Sequence, residues 1–266
     1  MSLVKIKINF FEYLKNDRGL SLVEVLISSV IALIILAATA LLFTHNQSIL
    51  KNESDSTNIQ AKGRLAVDRI EEEIRMAGFG LPPLQGVTAI NANSISFRIN
   101  LNIVRTTTPP CTLPCILGEK AGSLGDTTLT VIDETGFSSG DKIVIRNPNF
   151  NQWELNTVTG TSSGTLNLGT ALSQDYDYGI NTNLVTVNKY SDVTIALSGT
   201  NIIRTVDGTA TNLISDVNAT NGIAFNYYGI TVPSSVLRLG FNLSLVDPAN
   251  PAATVEFKTD VSLRNS

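Results

Sequence analysis

The apolar and polar positions of this chain fall into three successive patterns. From Val25 to Phe43 the sequence reads VLISSVIALIILAATALLF, nineteen residues without a charge. At about 1.5 Å per residue such a helix crosses most of a bilayer core of about 30 Å. After Thr44 the pattern turns periodic. Ile59, Gly63, Ala66, Ile70, Ile74 and Ala77 lie three or four residues apart, which is one face of a helix. Glu71, Glu72 and Arg75 fall towards solvent, and Arg75 follows Glu71 by four, the spacing of an intrahelical ion pair. The stretch LKNESDSTN (50–58) is polar all round, so the helix is expected to weaken there. Gly78 and Gly80, followed by Pro82-Pro83, predict its end.

Beyond Val87 the period changes to two. Short β-branched or alternating runs recur, among them SISFRINLNIV (94–104), TLTVI (128–132), DKIVIR (141–146), LVTVNKY (184–190), VTIAL (193–197), NIIRTV (201–206), IAFNYY (223–228), VLRLGFNLSL (236–245) and TVEFKTDVSLRN (254–265). Turn signals such as Ser139-Gly140-Asp141, Asp207-Gly208 and Asn221-Gly222 separate them. Strands without helical periodicity between them predict antiparallel sheet. The expected fold class is α+β: a long N-terminal helix, apolar in its first half and amphipathic in its second, packed on an antiparallel β-sheet domain. The expected divisions are 1–19, 20–43, 44–80 and 81–266.

Charge sharpens this division. Residues 1–19 carry Lys5, Lys7, Lys15 and Arg18 against Glu12 and Asp17, and the 189 residues after Ala77 hold only ten basic and fourteen acidic side chains. Charged residues make up 16% of the whole, against about 25% in ordinary domains, while 43% is apolar, which argues against bulk disorder. A net charge of −4 supplies no basic field to hold nucleic acid. The single histidine, His45, removes most metal-hydrolase and Ser-His-Asp schemes. No catalytic pair, phosphate loop or cofactor motif stands out, so no enzyme activity, cofactor or metal is expected.

The apolar run admits three readings: a secretory signal cut at Ala38-Thr39-Ala40, a signal anchor with its positive leader inside, or a specialised stem. Glu24 bears on the choice, because a carboxylate at the mouth of an apolar helix is costly and tends to be kept for function. The residues around it read Arg18-Gly19-Leu20-Ser21-Leu22-Val23-Glu24. This resembles the type III signal of type IV pilins and type II secretion pseudopilins. The resemblance implies cleavage between Gly19 and Leu20 by a prepilin peptidase, methylation of the new Leu20 amine, and retention of the apolar helix. Glu24 would then neutralise the terminal ammonium of a neighbouring subunit, since an unpaired charge in lipid is expensive. Leucine at position 20 departs from the commoner phenylalanine.

The segment GRLAVDRIEEEIRMAGFG (63–80) and, more weakly, the β-rich stretches 137–179 and 254–265 resemble PilW-type minor pilins. That resemblance implies a non-catalytic subunit taking part in type IV pilus assembly or priming. Its partners would be the major pilin, other minor pilins, prepilin peptidase and the inner-membrane assembly platform, with residues 25–43 in lipid. The subunit would sit in the bacterial inner membrane, leader inside, and then in a surface pilus concerned with twitching motility or cell adhesion. Alternative readings are a GspJ-like pseudopilin of a type II secretion system and a pilus-displayed adhesin or DNA-uptake component.

Three further features are open to chemistry. Cys111 and Cys115 lie in TPPCTLPCIL; with no histidine or second cysteine pair to complete a zinc site, a small disulfide outside the cytoplasm is expected. Asp133-Glu134 with Asp141, and Asp175 with Asp177, offer oxygens for calcium but lack the EF-hand spacing, so solvated loop acids are expected. Tyr176, Tyr178, Tyr190, Tyr227 and Tyr228 are read as core or edge residues rather than a binding surface.

Overall fold

A computed structural model describes residues 21–111, 119–178, 184–248 and 254–263. One helix, α1 (Leu22–Arg75), is followed by β1 (Val87–Asn91), β2 (Ser94–Ile99), β3 (Arg105–Thr107), β4 (Lys120–Gly122), β5 (Thr128–Thr130), β6 (Lys142–Asn147), β7 (Gln152–Ser162) and β8 (Thr165–Leu168). Then come β9 (Tyr176–Asp177), β10 (Thr186–Ser198), β11 (Asn201–Val206), β12 (Thr209–Ser215), β13 (Ile223–Asn226), β14 (Arg238–Val246) and β15 (Thr254–Ser262). The fold is α+β, with every described strand pairing antiparallel. The chain forms two compact units, residues 1–55 and 56–266.

α1 continues through 50–58, where weakening was expected. Neither Gly nor Pro occurs between Thr44 and Lys62, so nothing there forfeits a backbone hydrogen bond. The helix closes where Gly78 and Gly80 take φ of 79° and 82°, conformations open to glycine at little cost.

In the second unit the expected stripe is the buried one: Ile59, Gly63, Ala66, Ile70 and Ile74 are buried. Of these, Ile59, Ala66, Ile70 and Ile74 join Phe97, Ile195, Ile202, Phe241 and Leu243 in one core. Burial of side chains of this size contributes about 1.5–3 kcal/mol each. Gly63 sits where α1 meets the ring of Phe257; a Cβ there would run into that ring and lie 2.8 Å from Leu245 Cδ1. A second core gathers Leu129, Ile143, Ile145, Leu166, Tyr176 and Val187.

β10 serves both cores. The sequence suggests two strands, 184–190 and 193–197, separated by the polar Ser191-Asp192. The structure makes them one 13-residue strand in a sheet ordered β1-β2-β10-β6-β7-β8-β5, with β3, β11 and β12 attached through β10 and β11. Val187 enters the second core, and Val193 and Ile195 the first. Even-numbered residues occupy the other face, where Asp192 accepts from Arg98 Nε at 3.3 Å and from Lys142 Nζ at 2.7 Å. Those cations let an acid sit in mid-strand. On the same face the hydroxyls of Ser96 and Thr194 hydrogen-bond at 2.8 Å, and the Arg98 guanidinium lies over the Tyr190 ring, 5.4 Å from its centroid.

β13, β14 and β15 form a separate three-stranded sheet and β4 pairs with β9. β2 stops at Ile99, earlier than the run 94–104 suggested, because Ile103 takes a φ of 55° and the chain turns away.

Candidate functional site

The apolar helix and its first turn are the candidate site. Gly19 and Leu20 lie outside the described residues. Description starts at Ser21, whose carbonyl accepts from the amides of Glu24 (2.9 Å) and Val25 (3.2 Å) and so opens the helix. Glu24 stands in the first turn, where the partial positive charge of the unpaired N–H groups favours a carboxylate. Its side chain is exposed.

The residues that follow are those a lipid or a neighbouring helix would accept. Within the unit 1–55, Leu26, Leu33, Leu36 and Leu41 are more than half exposed. In water that surface would be a large uncovered apolar patch. Its hydroxyls are already satisfied: Ser28 Oγ donates to the Glu24 carbonyl at 2.7 Å, Ser29 Oγ to Leu26 at 2.8 Å, and Thr39 Oγ1 to Ile35 at 2.7 Å. Past the first turn the helical backbone bonds itself and these hydroxyls bond back to it, which is the condition for residing in hydrocarbon. The helix is long and apolar enough to cross a membrane.

The other sequence candidates lie elsewhere. Cys111 is disulfide-bonded; Cys115, the other cysteine of the chain, lies outside the described residues. The loop acids serve turns and ion pairs. Asp133 accepts from the Thr135 amide at 2.8 Å, Glu134 from the Gly164 amide at 3.1 Å, and Asp141 from the Ser138 amide at 2.8 Å while pairing with Lys189. Asp175 pairs with Lys120 at 2.6 Å and accepts from the Leu124 amide, and these bonds hold its carboxyl below the usual range. Tyr176 is fully buried, and Tyr227 donates to the carbonyls of Asn91 and Ser94 at 3.1 and 3.0 Å; burial pushes both phenols up.

One residue escaped the sequence reading. Glu73 lies on the buried face of α1 and pairs with Arg204 on β11 at 3.0 Å and with Arg69 at 3.2 Å. Its neighbours Glu71 and Glu72 are the solvent-side acids that the spacing predicts, each bound to an arginine of the helix, Arg75 and Arg69.

Residues 14–40 match the prokaryotic N-terminal methylation motif. The matched stretch contains Gly19, Leu20 and Glu24 and most of the apolar run, and it supports a prepilin-type, type IV pilin-like N-terminus. No curated protein matches the chain. Among solved structures, the Gp54 tailspike of Acinetobacter baumannii bacteriophage AP22, in complex with A. baumannii capsular saccharide, aligns at 14% identity and a TM-score of 0.25. The alignment covers 35% of this chain and 15% of that one, a likeness that carries no argument.

Proposed function

We propose that this chain is a non-catalytic minor pilin of PilW type that takes part in assembling or priming a type IV pilus. The observation that supports it is one constellation. A prepilin-type methylation motif over residues 14–40 leads into a helix with Glu24 in its first turn and nineteen uncharged residues after it. In this reading the leader 1–19 stays in the cytoplasm, prepilin peptidase cuts after Gly19, and the Leu20 amine is methylated. The helix then passes from lipid to filament core without changing its chemistry, because both surroundings are apolar. Glu24 offsets the Leu20 ammonium of a neighbouring subunit, so register along the filament is set by one charge pair in a low-dielectric setting. The β-rich unit is displayed outside the membrane, among other minor pilins and the major pilin.

The test is the mass of the N-terminal peptide of the native protein, from membranes and separately from sheared surface filaments. A chain beginning at methylated Leu20 in both fractions is expected, with fewer copies than the major pilin. A chain beginning at Leu41 would mean ordinary signal peptidase cleavage and would end this reading. So would an intact Met1, which would mark a signal anchor. Methylated Leu20 confined to membranes of cells that lose protein secretion without this chain would move it to a secretion pseudopilin.

A further inference from the structure

β10 brings two distant arginines together. In its first half it pairs with β3 and β6, placing Thr107, Thr186 and Arg146 in one cross-strand row and Arg105, Asn188 and Val144 in the next. Residues directly opposite share a face of the sheet, and so do alternate residues along a strand. Arg105, Thr107, Thr186, Asn188 and Arg146 therefore stand on one face, opposite to that of Val187 and Ile145 in the second core. Over this face passes the segment after α1, anchored by the Gly78 amide on the Arg98 carbonyl at 2.8 Å and by the Asn100 amide on the Phe79 carbonyl at 2.9 Å. Leu81 closes one end by packing with Val144 and Tyr190. What remains is a cavity of about 650 Å³, walled also by Asn100, Ile103, Ile132 and Asp133. That volume lies within the roughly 300–1,000 Å³ of small-molecule sites.

We infer that this cavity binds an acidic saccharide, a carboxylate-bearing sugar of the hexuronate class. Three observations carry it. First, nine lysines and arginines are described beyond Ala77, and seven of them have a carboxylate partner. The two without one among the described residues are Arg105 and Arg146, both lining this cavity. Guanidinium groups held on a strand face suit the planar, bidentate recognition of a carboxylate.

Second, the walls hold acceptors that lack donors. Asn100 is 3% exposed; its Nδ2 donates to the Val104 carbonyl at 2.9 Å, but its Oδ1 has no partner, and neither does the buried Thr107 Oγ1. An acceptor left unmet in this way is costly, and a small rotation of either side chain towards the cavity would let a sugar hydroxyl meet it. Asp133, held ionised by Thr135, adds a further acceptor at the rim and leaves the lining with a surplus of positive charge. Third, Phe79, Ile103 and Ile132 give the cavity apolar edges, with both isoleucines more than half exposed. They fit the C–H face of a pyranose ring. A bare phosphate would satisfy the arginines but offer nothing to Phe79 or the isoleucines. An acidic peptide brings its N–H groups one per residue, whereas one sugar ring presents several hydroxyls beside its carboxylate.

The inference is independent of whether the chain enters a filament. Its test is isothermal titration of the full chain in detergent micelles with trigalacturonate, with the carboxyl-reduced neutral trisaccharide, with inorganic phosphate and with a hexaglutamate peptide. Saturable binding of trigalacturonate is expected, with the other three probes at least about tenfold weaker. Arg105→Gln and Arg146→Gln should each weaken it about tenfold, and Ile132→Glu, at an exposed rim position, should weaken it without touching the fold. Thermal melting accompanies each variant, and Arg105→Lys and Arg146→Lys stand in for any variant that melts early, the loss of the planar fork again predicting weaker binding. Absence of saturation up to about 10 mM would overturn the inference. Equal binding of the neutral sugar, of phosphate or of the peptide would overturn it too, as would unchanged affinity in folded variants.

Discussion

Arg204 on β11 donates from Nε to Oε2 of Glu73 on α1 at 3.0 Å, across 131 residues of sequence. Glu73 lies on the same face as Ile70 and Ile74, and only 8% of its side chain is exposed. Its other oxygen faces Arg69 at 3.2 Å. A carboxylate so buried is tolerable only because both oxygens are met by guanidinium groups. The pair fixes where along the helix β11 can lie, which a greasy stripe alone specifies less sharply.

Removing one partner should therefore cost more than removing both. Arg204→Met is expected to lower unfolding stability by about 1–3 kcal/mol, because Glu73 is left with Arg69, which is more than half exposed. Glu73→Gln combined with Arg204→Met should recover part of that loss. Urea titrations of the three variants in detergent measure the coupling, and strictly additive losses would show that the pair is incidental.

Gly63 should resist substitution by the better helix former. Alanine gains about 1 kcal/mol of helix propensity over glycine, yet its methyl would collide with the Phe257 ring and approach Leu245 Cδ1. Overpacking of this kind costs about 1–3 kcal/mol, so Gly63→Ala is expected to melt earlier than the parent. Adding Phe257→Leu, which removes the offending ring, should restore most of the loss in a thermal melt.

The helix stripe was readable because its period repeats over five turns, and the first-turn Glu24 because a charge beside nineteen uncharged residues stands out. Glu73 was not, since an acid that follows two solvent-side acids reads as a third; Arg204, brought over by sheet pairing, joins Arg69 in making its burial tolerable. The break expected at Ser191-Asp192 failed for a related reason: Lys142 and Arg98 neutralise Asp192 from neighbouring strands, and single-sequence periodicity does not contain strand order. Arg105 and Arg146, forty-one positions apart, share a face only because both β3 and β6 pair with β10. Local chemistry was legible, and the cavity was not, because pairing is decided by the whole core.

Acid should loosen the corner where Lys142 bridges Asp192 and Asp207, each at 2.7 Å. Burial alone would raise the Asp207 pKa, but the bonds from Lys142, the Asp192 amide and Ser191 outweigh it, so the carboxyl sits below its ordinary 3.8. A carboxyl depressed in the folded state contributes stability above the unfolded pKa and loses it as pH falls through the folded one. Lys142, raised above 10.5 by its bonds to Asp192 and Asp207, contributes below 10.5 and loses that part as pH climbs through its folded value. Urea midpoints should therefore drop below about pH 4 and again above about pH 10.5. Lys142→Met should flatten both limbs, and an unchanged pH profile in that variant would place the titration elsewhere.

Glu24→Ala should separate membrane insertion from filament entry. Insertion depends on the charge-free run and the positive leader, neither of which the substitution touches, and removing a carboxylate makes the helix no costlier in lipid. The first turn stays closed, because the Ser21 carbonyl bonds backbone amides rather than the side chain. On the proposed reading, what is lost is the partner for a neighbour's Leu20 ammonium, and an uncompensated charge in a dry filament core costs several kcal/mol. We expect wild-type amounts of the variant in membranes, processed at Leu20, with at least about a tenfold loss from sheared filaments, since each 1.4 kcal/mol is a factor of ten. Glu24→Asp, which keeps the charge but shortens the reach by one methylene, should fall between the two. Quantifying the chain by peptide mass in both fractions decides it: wild-type recovery of Glu24→Ala in filaments would remove Glu24 from assembly and leave it as an idle residue at the membrane edge.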